Sequence, residues 1–131
     1  KYNDKKSSER FADERRDNMP YISIKTPKEI SADKATEIKT MLGKAIEILP
    51  GKTERWLMVS FDKQDYIYFA GDNAPSAIIE VSVFGKADSG HYEKMTGEIC
   101  EIISDKLDIP KDRIYVKYSE TQNWGWNGSN F

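Results

Sequence analysis

The chain has 131 residues, 38% of them hydrophobic and 11% aromatic, enough for one globular domain with a real core but not for two. Its formal net charge of −2, from 20 basic and 22 acidic residues, gives no electrostatic case for binding nucleic acid or an anionic membrane. No apolar run approaches the ~18–20 residues of a membrane span, no apolar h-region suggests a secretory signal, and one cysteine with one histidine excludes an internal disulfide and argues against a zinc site.

Lys1 to Met19 form a separate compositional block, with six basic and five acidic residues and Phe11 as the main apolar group. Such a segment buries too little surface to offset its ordering entropy, so a disordered tail or a remnant of expression is expected over 1–19. The charged run from Ser8 to Asp17 would form a frayed helix only if docked. The folded domain is expected over 20–131.

Met19-Pro20 opens a strand, Tyr21 to Thr26, broken by Pro27. A helix follows, with Ser31 as its N-cap and an apolar stripe at Ala35, Ile38, Leu42, Ala45 and Leu49. Pro50-Gly51 ends it. Trp56 to Phe61 reads as a buried strand, and Tyr66 to Phe69 as a short extra one ending at Gly71. Gly71-Asp72-Asn73 with Pro75 is a plain turn cluster. The order then repeats. Ala77 to Phe84 is a strand, Asp88 or Ser89 caps a helix striped by Tyr92, Met95, Ile99, Ile102, Ile103 and Leu107, and Arg113 to Tyr118 closes the unit.

Two strand–helix–strand units with long crossovers favour parallel pairing inside each unit. The expected fold is α+β: a four-stranded mixed sheet with two helices on one face and extra short strands at subunit edges. Trp56–Phe61 and Ala77–Phe84 read as apolar on both sides, which asks for cover on the second sheet face. Further copies of the chain are the simplest cover, so an oligomer is expected.

Five motifs fall in order on this frame: Met19-Pro20, Pro50-Gly51-Lys52, Val83-Phe84-Gly85-Lys86, Asp112-Arg113-Ile114-Tyr115-Val116, and Gly125-Trp126-Asn127-Gly128-Ser129-Asn130-Phe131. With them, Pro20 to Phe131 resembles the macrophage migration inhibitory factor (MIF) family of the tautomerase superfamily. The resemblance implies a homotrimer whose sheets surround a central channel, with active sites at subunit interfaces. It also implies a cofactor-free keto–enol tautomerase acting on small α-keto acids such as phenylpyruvate, with an amino-terminal proline as the base. A cytoplasmic location and export without a signal peptide are both compatible with it.

That chemistry needs a base of near-neutral pKa that moves a proton between carbon and oxygen. The resemblance assigns this role to Pro20, as a free amine whose charged form is disfavoured by burial and a nearby cation. It assigns Lys52 to the substrate carboxylate or enolate oxygen, the Phe84 backbone N–H to substrate, and Tyr115 to a neighbouring subunit's pocket. Trp56 stands at a pocket tyrosine's place, and Trp126 and Phe131 at an aromatic rim. Lys117 replaces an asparagine, as a second cation for the carboxylate or simply a solvated lysine, and Trp124 replaces a small aliphatic residue, for a narrower or more strongly stacking mouth. Ser76-Ala77-Ile78-Ile79 stands where some relatives have a CxxC, so thiol–disulfide exchange is not expected. Cys100 is expected in the core, His91 as a capping or solvated residue, and Lys86 as a surface lysine.

Pro20 preceded by Met19 is a tertiary amide with no basicity. Activity is therefore expected to require removal of residues 1–19, and the tail would also emanate from the pocket mouth. Two other readings stand beside the enzyme. One is a cytokine-like binding protein that engages a protein receptor and does not need Pro20 basicity. The other is decarboxylation or dehalogenation of small acids with a charged proline acting as an acid.

Overall fold

The computed structural model describes residues 19–130. Its sheet is built from β1 (Pro20–Thr26), β2 (Met58–Lys63), β3 (Ala77–Phe84) and β4 (Ile114–Thr121), in the order β2-β1-β3-β4. β1 runs parallel to β2, β3 runs parallel to β4, and the two units join through the antiparallel pair β1–β3, with Ile22 opposite Val81 and Ile24 opposite Ile79. The crossovers carry α1 (Ala32–Ala45) and α2 (Ser89–Leu107). The α+β architecture is the one expected from the repeated units.

Local sequence sets the helix ends. Ser31 is extended and its hydroxyl accepts the Lys34 N–H at 3.2 Å, and Asp88 accepts the His91 N–H at 2.9 Å. Each satisfies a donor that the first turn would leave without a partner. α2 stops at Asp108, which adopts φ 55° and returns its N–H to the Ser104 carbonyl. α1 is shorter than its apolar stripe implied. It ends at Ala45 and tightens into a 3-10 turn over Ile46–Ile48, which still delivers Leu49 to the core.

One apolar cluster fills the space between sheet and helices. Ile38, Leu42 and Ile46 from the first crossover and Met95, Ile99 and Ile103 from α2 meet Ile22, Ile24, Ile79 and Val81 of the sheet. Cys100 only flanks this cluster and is half-buried, and desolvation raises its thiol pKa. The expectation of a core cysteine is corrected to that extent. Neither helix is long and apolar enough to cross a membrane.

Three sequence expectations about strands change. β2 begins at Met58, not Trp56, because Glu54–Trp56 form a 3-10 turn. Tyr66 to Phe69 is not a strand and makes only an isolated bridge, Phe69 to Asp72. The second sheet face is mostly polar, although Met58, Ile78 and Tyr115 also lie on it. Alternation places Tyr21, Ser23, Lys25, Ser60, Asp62, Glu80 and Lys117 there, and several pair among themselves: Tyr21 Oη with Ser60 Oγ at 2.6 Å, Ser23 Oγ donating to Asp62 at 3.0 Å, Lys25 with Glu80 at 2.7 Å. The Lys25 ammonium holds the Glu80 carboxyl below its ordinary pKa, with a smaller push from Lys117. The argument for an oligomer from two apolar faces therefore does not hold for this sheet.

Leu42 is fully buried while Met41 beside it is 36% exposed. Leu42→Ala is expected to cost about 2–5 kcal/mol in urea unfolding, and Met41→Ala under about 1 kcal/mol. Equal losses would contradict the assigned helix face.

Candidate active site

A cavity of about 660 Å³ opens where β1 and β2 begin. That lies within the range of small-molecule sites. Its lining comes from three stretches of the chain, 19–21, 55–60 and 124–126. Trp56, Trp124 and Trp126 supply aromatic walls, and the rings of Trp56 and Trp126 meet edge-to-face with centroids 5.4 Å apart.

Pro20 heads β1 inside the sheet, a position open to proline because a strand's first residue can go without an N–H donor. Met19 packs with the domain, 3% exposed, and its carbonyl accepts the Phe84 N–H at 3.0 Å. The N–H that the family resemblance gives to substrate is thus taken by the residue before the proline. Gly85 follows at φ 86°, a conformation that favours glycine, and its N–H donates to the Thr121 carbonyl.

The Glu54–Trp56 turn lies against α1, with the Glu54 side chain over Gly43. A Cβ there would collide with the Glu54 carboxylate. This turn brings two side chains to the cavity, Trp56 and Arg55. The Arg55 guanidinium carbon lies 5.3 Å from the Trp56 ring centroid, a cation–π contact. Trp126 arrives on a terminal hairpin of β5 (Gly125–Trp126) and β6 (Ser129–Asn130). Asn127 and Gly128 both have positive φ, 54° and 88°, as a two-residue primed turn requires.

Of the residues expected at the site, Pro20, Trp56, Trp124 and Trp126 line one cavity. Lys52 is buried, 6% exposed, but is not in the lining. Tyr115 and Lys117 are exposed on β4, two strand spacings or roughly 10 Å from β1. The register puts Tyr115 opposite Ile78, and Ile78 opposite Lys25, at the far end of β1 from Pro20. Phe131 lies outside the described residues, as do residues 1–18. Sequence reasoning missed Arg55, Tyr21 and Ser60. The Asn127-Gly128 pair was a sequence signal for the terminal hairpin.

Two networks hold the loops at opposite ends of the sheet, the first near Pro20 and the second at the far end. Tyr92 donates to Glu120 at 2.7 Å and accepts the Ala87 N–H at 3.2 Å, tying the start of α2 and β4 to the loop after Phe84. Burial, then the Glu120 carboxylate, pushes the Tyr92 phenol up to about 12. On the other side Arg113 donates to the carbonyls of Phe69, Ala74 and Pro75 and pairs with Asp72 at 2.9 Å. The loop so held sets the Phe69 ring edge-on against Tyr115, with centroids 5.1 Å apart.

Comparison with known proteins places this architecture. A family model described as Macrophage migration inhibitory factor (MIF) matches residues 19–131. The macrophage migration inhibitory factor of Mus musculus is 31% identical over 83 residues, 62% of this chain and 72% of that protein. The Xenopus laevis protein of the same name is 26% identical over 116 residues, 86% and 99% of the two chains. The crystal structure of Leishmania major MIF2 matches with a TM-score of 0.82 and 31% identity, over 87% of this chain and 98% of that one.

A raised phenol pKa makes folding depend on alkaline pH. The Tyr92 contribution is intact below about pH 10, where the unfolded phenol is also protonated, and is lost as pH climbs toward 12. The denaturation midpoint should fall over that range, and Tyr92→Phe should fall less steeply. Parallel pH profiles would contradict the Tyr92–Glu120 assignment.

Proposed function

The chain belongs to the macrophage migration inhibitory factor family, and we propose that in a form beginning at Pro20 it is a cofactor-free keto–enol tautomerase of phenylpyruvate-like α-keto acids. The observation that carries this reading is the position of Pro20, buried at the head of β1 in a cavity walled by tryptophans. An α-amine there loses hydration in its charged form, so its pKa falls toward neutrality. The neutral amine takes a proton from the carbon next to the carbonyl, and the ammonium so formed returns it to the enolate oxygen. The reverse order converts enol to keto acid. No redox partner enters, and atoms balance within the substrate.

Lys52 is assigned to the charge that develops on the enolate oxygen, where a fixed cation stabilises the transition state more than the ground state. The Phe84 N–H becomes a substrate donor when Met19 is removed, because the carbonyl it now serves leaves with that residue. The tryptophans hold the aryl ring.

A homotrimer belongs to the same proposal. Tyr115 and Lys117 stand too far along and across the sheet to reach their own subunit's Pro20, so a neighbour must supply them. Tyr66, Tyr68 and Tyr115 are 72%, 68% and 60% exposed, an aromatic surface suited to contact with another copy.

The decisive comparison is phenylpyruvate tautomerisation by protein starting at Pro20 against the 131-residue chain, both verified by mass. The shorter protein is expected to turn over at least ~100-fold faster, the scale of a lost general base. Pro20→Gly in the shorter protein should lose a similar factor. Equal rates for the two lengths would remove Pro20 as the base.

A further inference from the structure

Among the described residues, Arg55 is the one charged side chain in the cavity lining. Its neighbours there are apolar or aromatic, apart from Tyr21 and Ser60, which hydrogen-bond to each other. No carboxylate among the described residues pairs with Arg55. Its guanidinium lies over the face of Trp56, the same ring that meets Trp126 edge-on. A guanidinium laid on an indole has its plane steadied by the ring, while its N–H fork stays available at the edge. That fork matches a carboxylate in two-point geometry.

From this arrangement we infer that Arg55 makes the Trp56 side of the cavity an anion subsite, and that the substrates are α-keto acids carrying a second carboxylate remote from the reacting carbon. The inference rests on the tautomerase reading for the word substrate, but the subsite itself does not. Lys52 and a neighbour's Lys117 are already assigned to the keto-acid end in that reading, which leaves Arg55 for a group at the far end of the molecule. An aryl ring packed against the Trp56–Trp126 pair spans the two ends. Its para position is then the natural place for the second carboxylate.

The chain has three tryptophans, and all three line this cavity. Intrinsic fluorescence therefore reports on the site directly, with no need for turnover. The test is titration of the intact chain with 4-carboxycinnamate and with cinnamate, two unreactive acids that differ by one carboxylate. The same titration is run on protein starting at Pro20, where Met19 no longer lines the cavity.

The dicarboxylate is expected to bind about 10-fold more tightly in at least one of the two forms. Arg55→Gln should erase that difference and Arg55→Lys should keep part of it. Equal affinities for the two acids, a difference that survives Arg55→Gln, or no fluorescence change with either acid in either form would each overturn the subsite. The tautomerase reading fails separately, by absent turnover of phenylpyruvate, so the two failures are told apart.

Discussion

The antiparallel pairing of β1 with β3 is the constraint on which the rest depends. It joins two units that are each complete as strand, helix and parallel strand, and it puts the start of β1 beside the end of β3. Pro20 therefore faces Val83, and the next donor along, the Phe84 N–H, points at the residue before the proline. A proline in the middle of an inner strand would leave a ladder acceptor unserved. At the first position it costs no ladder bond, and it stands at the rim of the sheet where a cavity forms. The apolar layer between sheet and helices fixes this register, since a slip of one residue would turn Ile22, Ile24, Ile79 and Val81 outward together.

The two sheet faces divide the labour. The helix-side face carries the stability, through aliphatic side chains closed off from water. The other face carries hydroxyls and charges that pair across strands, Tyr21 with Ser60, Ser23 with Asp62 and Lys25 with Glu80. Cross-strand pairs of this kind are worth a fraction of a kcal/mol to about one each, and they specify alignment more than they stabilise. The cavity sits on this polar face at the β1–β2 end, so tryptophans from a turn and a terminal hairpin must be brought over it to make it apolar.

Much of this was legible in the sequence, and the failures have physical causes. The strand–helix–strand repeat and both N-caps could be read because capping residues directly precede periodic apolar runs, at Ser31 and Asp88. Tyr66 to Phe69 misled because an aromatic run has β-propensity, yet propensity needs a partner edge to pair with. Arg113 takes the Phe69 carbonyl, along with those of Ala74 and Pro75, instead. Trp56 looked like strand and proved to be turn because the Glu54–Trp56 segment folds back against α1, with Glu54 over Gly43, a packing the local sequence does not announce. Arg55 escaped notice for the same reason: one basic residue after a helix reads as solvated until the fold sets it over Trp56 in the cavity. Composition could not reveal that Met19 packs as core, since only the Phe84 hydrogen bond distinguishes it from the charged stretch before it.

Pro20 also separates what backbone geometry can decide from what covalent state decides. As an acylated residue it is a well-placed element of β1 and nothing more, because an amide nitrogen has no lone pair to offer a proton. As a terminal residue the same atom, in the same cavity, is an amine whose protonation is governed by burial and by nearby cations. Removing Met19 changes three things together. It creates the amine, it releases the Phe84 N–H from its present acceptor, and it clears a side chain from the cavity lining. The proposed base, a hydrogen-bond donor beside it and room for a ligand all depend on a single peptide bond, while the core that positions them lies on the opposite face of the sheet and does not.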